Sequence, residues 1–150
     1  MKWAGVKIEK STRIVSSVNI IGSMCLSIGE NTFIGHQVLI VGGDSEINIG
    51  SNVDIGPRVL IVTGSHIIDM EAKGSAGQGI SSDINIESGV WIGANATILG
   101  GVTIGQKSVV GAGSTVNQSI PPFVIAVGNP CRPIKQWNSA AEKWETILWR

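Results

Sequence analysis

The chain has 150 residues, carries 11 Lys and Arg against 11 Asp and Glu, and is 43% apolar. A net charge of zero gives no basic field for nucleic acid or an anionic membrane surface. The length suits a single domain, residues 1–150, with a substantial core, and no apolar run is long enough for a helix that inserts into a membrane.

Residues 1–14 show weak periodicity and charges throughout, without the apolar stretch of a signal peptide, and read as a lead-in or cap. A period of six then begins at Val15 and Ile21, slips by one residue, and continues through Ile28, Ile34 and Ile40. Cys25 falls where this repeat wants a small buried residue. Asn31 and Gly43 fall where a tight turn wants positive φ. From Ile40 to Ile49 the spacing is nine, so three extra residues within 42–45 must bulge from a corner. The period resumes at Ile49, Ile55 and Ile61, with Asn52 and Gly64 in the turns. Residues 67–79 carry no usable period and read as a long loop thrown out from a coil corner, the kind of interruption that usually serves function. From Ile80 the register is unbroken through Ile86, Ile92, Ile98, Ile104, Val110 and Val116, with Gly89, Asn95, Gly101 and Gly113 at the turns.

A period of six fits neither a helix nor a hairpin array, and sandwich strands alternate over longer runs. It fits an all-β solenoid in which each unit is one short strand and one tight turn. Three units close a triangular coil, so each lead aliphatic sits on the one 18 residues away. Ile80, Ile98 and Val116 are expected in one column, and Ile86 on Ile104. The coils span 15–121. The four prolines of SIPPFVIAVGNPCRPIK then make 122–136 an extended exit. In 137–150, an N-cap at Asn138 or Ser139 and the spacing of Trp137, Ala141, Trp144, Ile147 and Leu148 predict a C-terminal amphipathic α-helix. Cys25 and Cys131 make no disulfide framework and read as free thiols of a reducing cytoplasm.

The chemistry-bearing residues are few. His66 ends a unit immediately before the long loop, His36 occupies a surface turn, and Asp44 stands in the three-residue insertion. Trp91 precedes a lead aliphatic and therefore faces outward. Walker, dinucleotide, CxxC, HExxH and GxSxG signatures are absent from the sequence.

Three segments in order, IGSNVDIGPRVLIVTGSH, SGVWIGANATILGGVTIGQKSVVGAGSTV and SIPPFVIAVGNPCRPIK, resemble the hexapeptide-repeat acyltransferases. Within that superfamily the resemblance is to sugar O-acetyltransferases of the galactoside, maltose and nodulation-factor type, with xenobiotic acetyltransferases nearby. It implies a left-handed parallel β-helix, a hand that periodicity alone would not give because chain crossovers are normally right-handed. It also implies direct acetyl transfer from acetyl-CoA, as co-substrate, to a sugar or glycan hydroxyl. His66 matches the catalytic base, and imidazole as a side-chain type suits proton removal near neutral pH. Asp44 matches an acceptor-binding carboxylate. His36 replaces an asparagine on the acceptor side, and Trp91 lies beside the thioester arm.

Ala94, Gly111 and Ala112 match the positions along which the pantetheine arm runs, while Asn117 and Gln118 replace a common Thr-Lys pair. Arg132 and Lys135 match basic residues at the adenosine end. The family is trimeric, with active sites between subunits. Two histidines thirty residues apart do not make a three-histidine zinc site within one chain, which argues against the zinc-dependent carbonic anhydrases built on the same repeat, and no metal is expected. The alternative functions are acetylation of an antibiotic and a non-catalytic scaffold. Serine acetyltransferase and nucleotide-sugar N-acetylation fit less well, for want of an N-terminal domain.

Overall fold

The computed structural model describes residues 5–147. Short parallel strands stack into three sheets that form the faces of a triangular prism of about five turns. Among the described residues there is no helix. This all-β parallel solenoid is consistent with the left-handed β-helix that the resemblance implies.

The first face runs through Val6–Ile8, Cys25–Ile28, Glu46–Ile49, Ile84–Ile86 and Thr103–Ile104. The second runs through Arg13–Ile14, Phe33–Ile34, Asp54–Ile55, Trp91–Ile92, Val109–Val110 and Val124–Val127. The third runs through Asn19–Gly22, Leu39–Gly42, Leu60–Val62, Thr97–Leu99 and Thr115–Val116.

Each inward aliphatic sits on its parallel neighbour. Ile34, Ile55, Ile92 and Val110 form one column, and Ile49, Ile86 and Ile104 another. These side chains are almost wholly buried, each worth about 1.5–3 kcal/mol of apolar burial. The buried hydroxyls of Thr32 and Ser108 are satisfied by main chain: Thr32 Oγ1 donates to Gly50 O at 2.8 Å and Ser108 Oγ to Pro121 O at 2.6 Å.

Turns at the first two corners are left-handed, as expected for Asn31, Asn52, Gly89, Asn95 and Gly113. Gln37, Arg58, Lys107 and Phe123 take the same conformation without a glycine or asparagine to announce it. At the third corner Gly101 also has positive φ, 86°, as expected, whereas Gly43 and Gly64, where the insertions leave the repeat, do not.

Several expectations are corrected. Ile80 does not join the core: it is 42% exposed and pairs with Ser65 outside the coil, so Ile61 stands under Ile98 and Val116 instead. The first columns start at Ile8, Ile14 and Ile20, stacked on Ile28, Ile34 and Ile40, so residues within 1–14 already belong to a coil. Val15 and Ile21 are one residue out of phase. Adjacent aliphatics satisfy the period equally well, and only stacking selects between them. Cys25 is exposed, with Met24 and Leu26 taking the buried places beside it.

The predicted C-terminal helix is a hairpin. Arg132–Asn138 pairs antiparallel with Val124–Val127 and with Lys143–Thr146, extending the second face beyond the last coil. Trp137 and Trp144 are cross-strand partners with ring centroids 5.4 Å apart, edge to face. Aromatic and β-branched residues fit a pleated surface, and the sheet edge left by Val124–Val127 is a template that a helix would leave unpaired. Asn138 Oδ1 does accept the N–H groups of Ala140 and Ala141, both at 3.0 Å, but it caps a turn rather than a helix. Leu148 lies outside the described residues.

Candidate active site

His66 stands at the third corner, on the strand Gly64–Ile68, which leaves the coil and pairs antiparallel with Ala76–Ser81. The loop expected at 67–79 is thus a hairpin. Its tip is closed by Asp69, whose N–H donates to Ser75 O and whose Oδ1 accepts from Glu71 and Ala72 N–H. The register shifts between His66 and Ile68, and such a bulge re-aims the side chain beside it. His66 Nδ1 lies 3.0 Å from the carbonyl of Gly77. A carbonyl only accepts, so Nδ1 carries a proton, and in the neutral ring Nε2 keeps its lone pair. Gly77 has to be glycine: a Cβ there would lie 2.8 Å from both Ile67 O and Asp69 Cβ.

Asp44 occupies the same corner one coil earlier. Ser23 Oγ donates to its Oδ1 at 3.3 Å. The flanking residues are tied to the root of the hairpin, where Thr63 Oγ1 accepts from Gly43 N–H at 3.2 Å and from Ser45 Oγ at 2.9 Å. Thr63 is buried and directly precedes the hairpin strand. Further along this edge, Asn117 and Gln118 follow the last strand of the third face. Asn117 Oδ1 accepts from Arg132 Nη1 at 3.2 Å, joining two of the expected coenzyme residues.

One chain does not bring the remaining residues to this edge. Trp91 is on the second face, 55% exposed and pointing outward between Asp54 and Val109. His36, Ala94, Gly111 and Ala112 lie along the second corner, linked coil to coil by Arg58 N–H to His36 O and Gly113 N–H to Ala94 O, both 2.8 Å. Ser17 Oγ is 3.4 Å from His36 Nδ1. His36 and Asp44, both expected on the acceptor side, therefore occupy different corners of one chain. Lys135 is exposed on the C-terminal extension, opposite Ile125 and Thr146. The sequence reading missed Gly77 and Thr63; their roles depend on hairpin pairing, which no local motif encodes. Among the described residues no group of three or more His, Cys, Asp or Glu is placed to hold a metal ion.

The outward surfaces of the faces differ. On the first, Ser27, Asn48 and Asn85 form a hydrogen-bonded polar ladder, with Oγ to Oδ1 at 2.7 Å and Nδ2 to Oδ1 at 3.1 Å. On the third, Leu39, Val41, Leu60, Val62 and Leu99 present half-buried apolar side chains.

The family model described as bacterial transferase hexapeptide (six repeats) matches residues 83–118. No curated protein matches the chain. Among solved structures, a hexapeptide-repeat-containing acetyltransferase of Vibrio cholerae O1 biovar eltor, complexed with acetyl coenzyme A, is 34% identical; the match covers 91% of this chain and 73% of that one, with a TM-score of 0.79. A galactoside acetyltransferase in complex with coenzyme A is also 34% identical, over 92% of this chain and 67% of that one, at 0.75. The polySia-specific acetyltransferase NeuO is 33% identical over 87% of this chain but only 56% of its own, at 0.76. With the repeat, the stacked prism and this identity over most of the Vibrio enzyme, the chain belongs to the hexapeptide-repeat acetyltransferases.

Proposed function

We propose that this acyltransferase moves the acetyl group of acetyl-CoA to a hydroxyl of a sugar or glycan precursor, with His66 as general base. The observation that carries the reading is the His66–Gly77 hydrogen bond, which leaves Nε2 able to accept a proton. As the acceptor oxygen attacks the thioester carbonyl, its proton passes to Nε2. The tetrahedral oxyanion then collapses, the C–S bond breaks, and the thiolate of coenzyme A takes the proton back from imidazolium. Asp44, on the same edge, would accept hydrogen bonds from acceptor hydroxyls.

The residues present fit the coenzyme. Ala94, Gly111 and Ala112 leave the second corner low enough for a pantetheine arm to lie against it. Arg132 and Lys135 supply positive charge for its phosphates, with Asn117 steadying the guanidinium. Arg132 takes the place of the lysine that Gln118 lacks.

In one chain the base lies on a different edge from Ala94, Gly111 and Ala112, which supports a homotrimer whose sites form between subunits. There Trp91 and His36 of one chain would complete the edge that carries His66 and Asp44 of the next. The apolar outward side of the third face is the surface such assembly would cover. Two free thiols fit a cytoplasmic setting. The second reading, an antibiotic acceptor, is favoured by Ile68 and Met70 on the hairpin, 77% and 80% exposed, which would suit an apolar substrate.

The test is coenzyme A release from acetyl-CoA across saccharides and antibiotics, with His66→Ala run alongside. Acceptor-dependent turnover that falls by about 10²–10⁴-fold in the variant supports the reading. Turnover unaffected by the substitution would remove His66 as base, and failure to bind acetyl-CoA would remove the activity itself.

A further inference from the structure

A second concave surface lies away from the His66 edge. Lys107, Phe123, Trp137, Ser139 and Trp144 line a cleft of about 460 Å³, a size typical of small-ligand sites. Lys107 and Phe123 project from successive coils at the first corner, at φ 54° and 59°. Gly89, one coil earlier, leaves room for the lysine stem: a Cβ there would lie 3.0 Å from Lys107 Cγ.

The aromatic walls are held before any ligand arrives. Trp137 N–H donates to Phe123 O at 2.9 Å. Asn138 holds the hairpin turn through Ala140 and Ala141 and donates through Nδ2 to Glu145 Oε1 at 2.9 Å. Such preorganisation lowers the cost of binding.

The lining chemistry is specific. Three aromatic side chains offer flat apolar surface, and the polar side-chain groups of the lining residues are the Ser139 hydroxyl, the Lys107 ammonium and the indole N–H groups of Trp137 and Trp144. The Lys107 side chain makes no hydrogen bond or ion pair with the described residues. A pyranose bearing a carboxylate matches this set: its C–H face lies on the rings, a hydroxyl meets Ser139, and the negative charge meets Lys107. A neutral hexose would leave the ammonium without a counter-charge.

The cleft sits at the first corner, whereas His66 and Asp44 sit at the third, so a sugar bound in it cannot reach the base of the same chain. We infer that the cleft is a secondary subsite for an acidic sugar unit, and that the acceptor is an acidic oligo- or polysaccharide held at one unit while another is acetylated. This deepens the glycan reading and rests on it for its purpose; binding itself is testable without turnover.

Isothermal titration of the full chain with hexamers of galacturonic acid and of sialic acid, and with neutral maltohexaose, tests it. Lys107→Gln and Trp144→Ala are titrated alongside, and every protein is also titrated with coenzyme A. The expected result is saturable binding of an acidic hexamer but not of maltohexaose. It should weaken about tenfold or more in each variant, with coenzyme A affinity unchanged. The inference is overturned if no acidic hexamer saturates, if maltohexaose binds equally well, or if coenzyme A displaces the hexamer. Lys107→Gln keeps an exposed side chain of similar length, so a hairpin disturbed by Trp144→Ala does not spoil the test. A protein that binds the acidic hexamer but not coenzyme A would overturn the acetyltransferase proposal and leave the subsite standing. Coenzyme A binding without hexamer binding would remove the subsite alone.

Discussion

The Nδ1–H of His66 is donated to the main-chain carbonyl of Gly77, 3.0 Å away across a two-stranded hairpin. One arm of the hairpin therefore sets the tautomer of a histidine on the other. The base proposed for the reaction depends on the hairpin's pairing rather than on the coil that carries it, and a carbonyl, unlike a carboxylate, orients the ring without adding a charge beside it.

Gly77→Ala should therefore impair turnover without touching the reacting atoms. The added Cβ meets Ile67 O and Asp69 Cβ at 2.8 Å, so the Gly77 carbonyl must move and the imidazole loses its partner. The expected signature is a kcat reduced by about tenfold or more, a scale that small misplacements reach, with the dissociation constant for coenzyme A unchanged. A variant of unaltered kcat would show that Gly77 does not position His66.

Column membership has its own test. Ile92 is fully buried between Ile55 and Val110, so Ile92→Ala should cost about 2–5 kcal/mol in denaturant unfolding. Ile80, in the same sequence register but 42% exposed on the hairpin, should cost under about 0.5 kcal/mol when changed to Ala. Equal losses at both positions would restore Ile80 to the core.

The contrast between these isoleucines shows where sequence stops informing. Period six alone implies stacked coils, because no other arrangement buries an aliphatic every sixth residue. It does not say which copy stacks on which: Ile61 meets Ile98 across 37 positions once the hairpin is looped out. Nor does it choose between Ile14 and Val15, which differ only in phase. The residue types at the candidate site were readable one by one. That His66, Asp44 and Asn117 share an edge while His36 and Trp91 lie on others follows from coil geometry and insertion lengths, which are not local properties. The tryptophans misled because seven-residue spacing fits two helical turns and a hairpin alike, and the unpaired sheet edge at Val124–Val127 decided the matter.

The hairpin at the C-terminal end can be checked through that tryptophan pair. In a helix Trp137 and Trp144 would be separated by about 10.5 Å of rise, too far for their rings to couple. As cross-strand partners 5.4 Å apart they should show a coupling of about 0.5–1.5 kcal/mol in a double-mutant cycle of Trp137→Ala and Trp144→Ala. Additive losses would contradict the pairing.

The two thiols should behave differently. Burial pushes the Cys131 thiol above its usual value, an effect only partly offset by its hydrogen bond with Ser114 and by the charge of Arg132. Folding thus favours its neutral form, whereas the thiolate is the reactive species. Cys25 is exposed and should react alone in the native protein at neutral pH, giving one labelled thiol per chain, with the second appearing only on unfolding. Because the folded value is raised, the stability contributed by the neutral thiol is fully present below the unfolded-state value. It is lost as pH rises through the folded one. The denaturation midpoint should therefore fall more steeply in the alkaline range for the wild type than for Cys131→Ser, measured as midpoint against pH. Parallel curves, or two fast-reacting thiols in the native state, would place Cys131 at the surface.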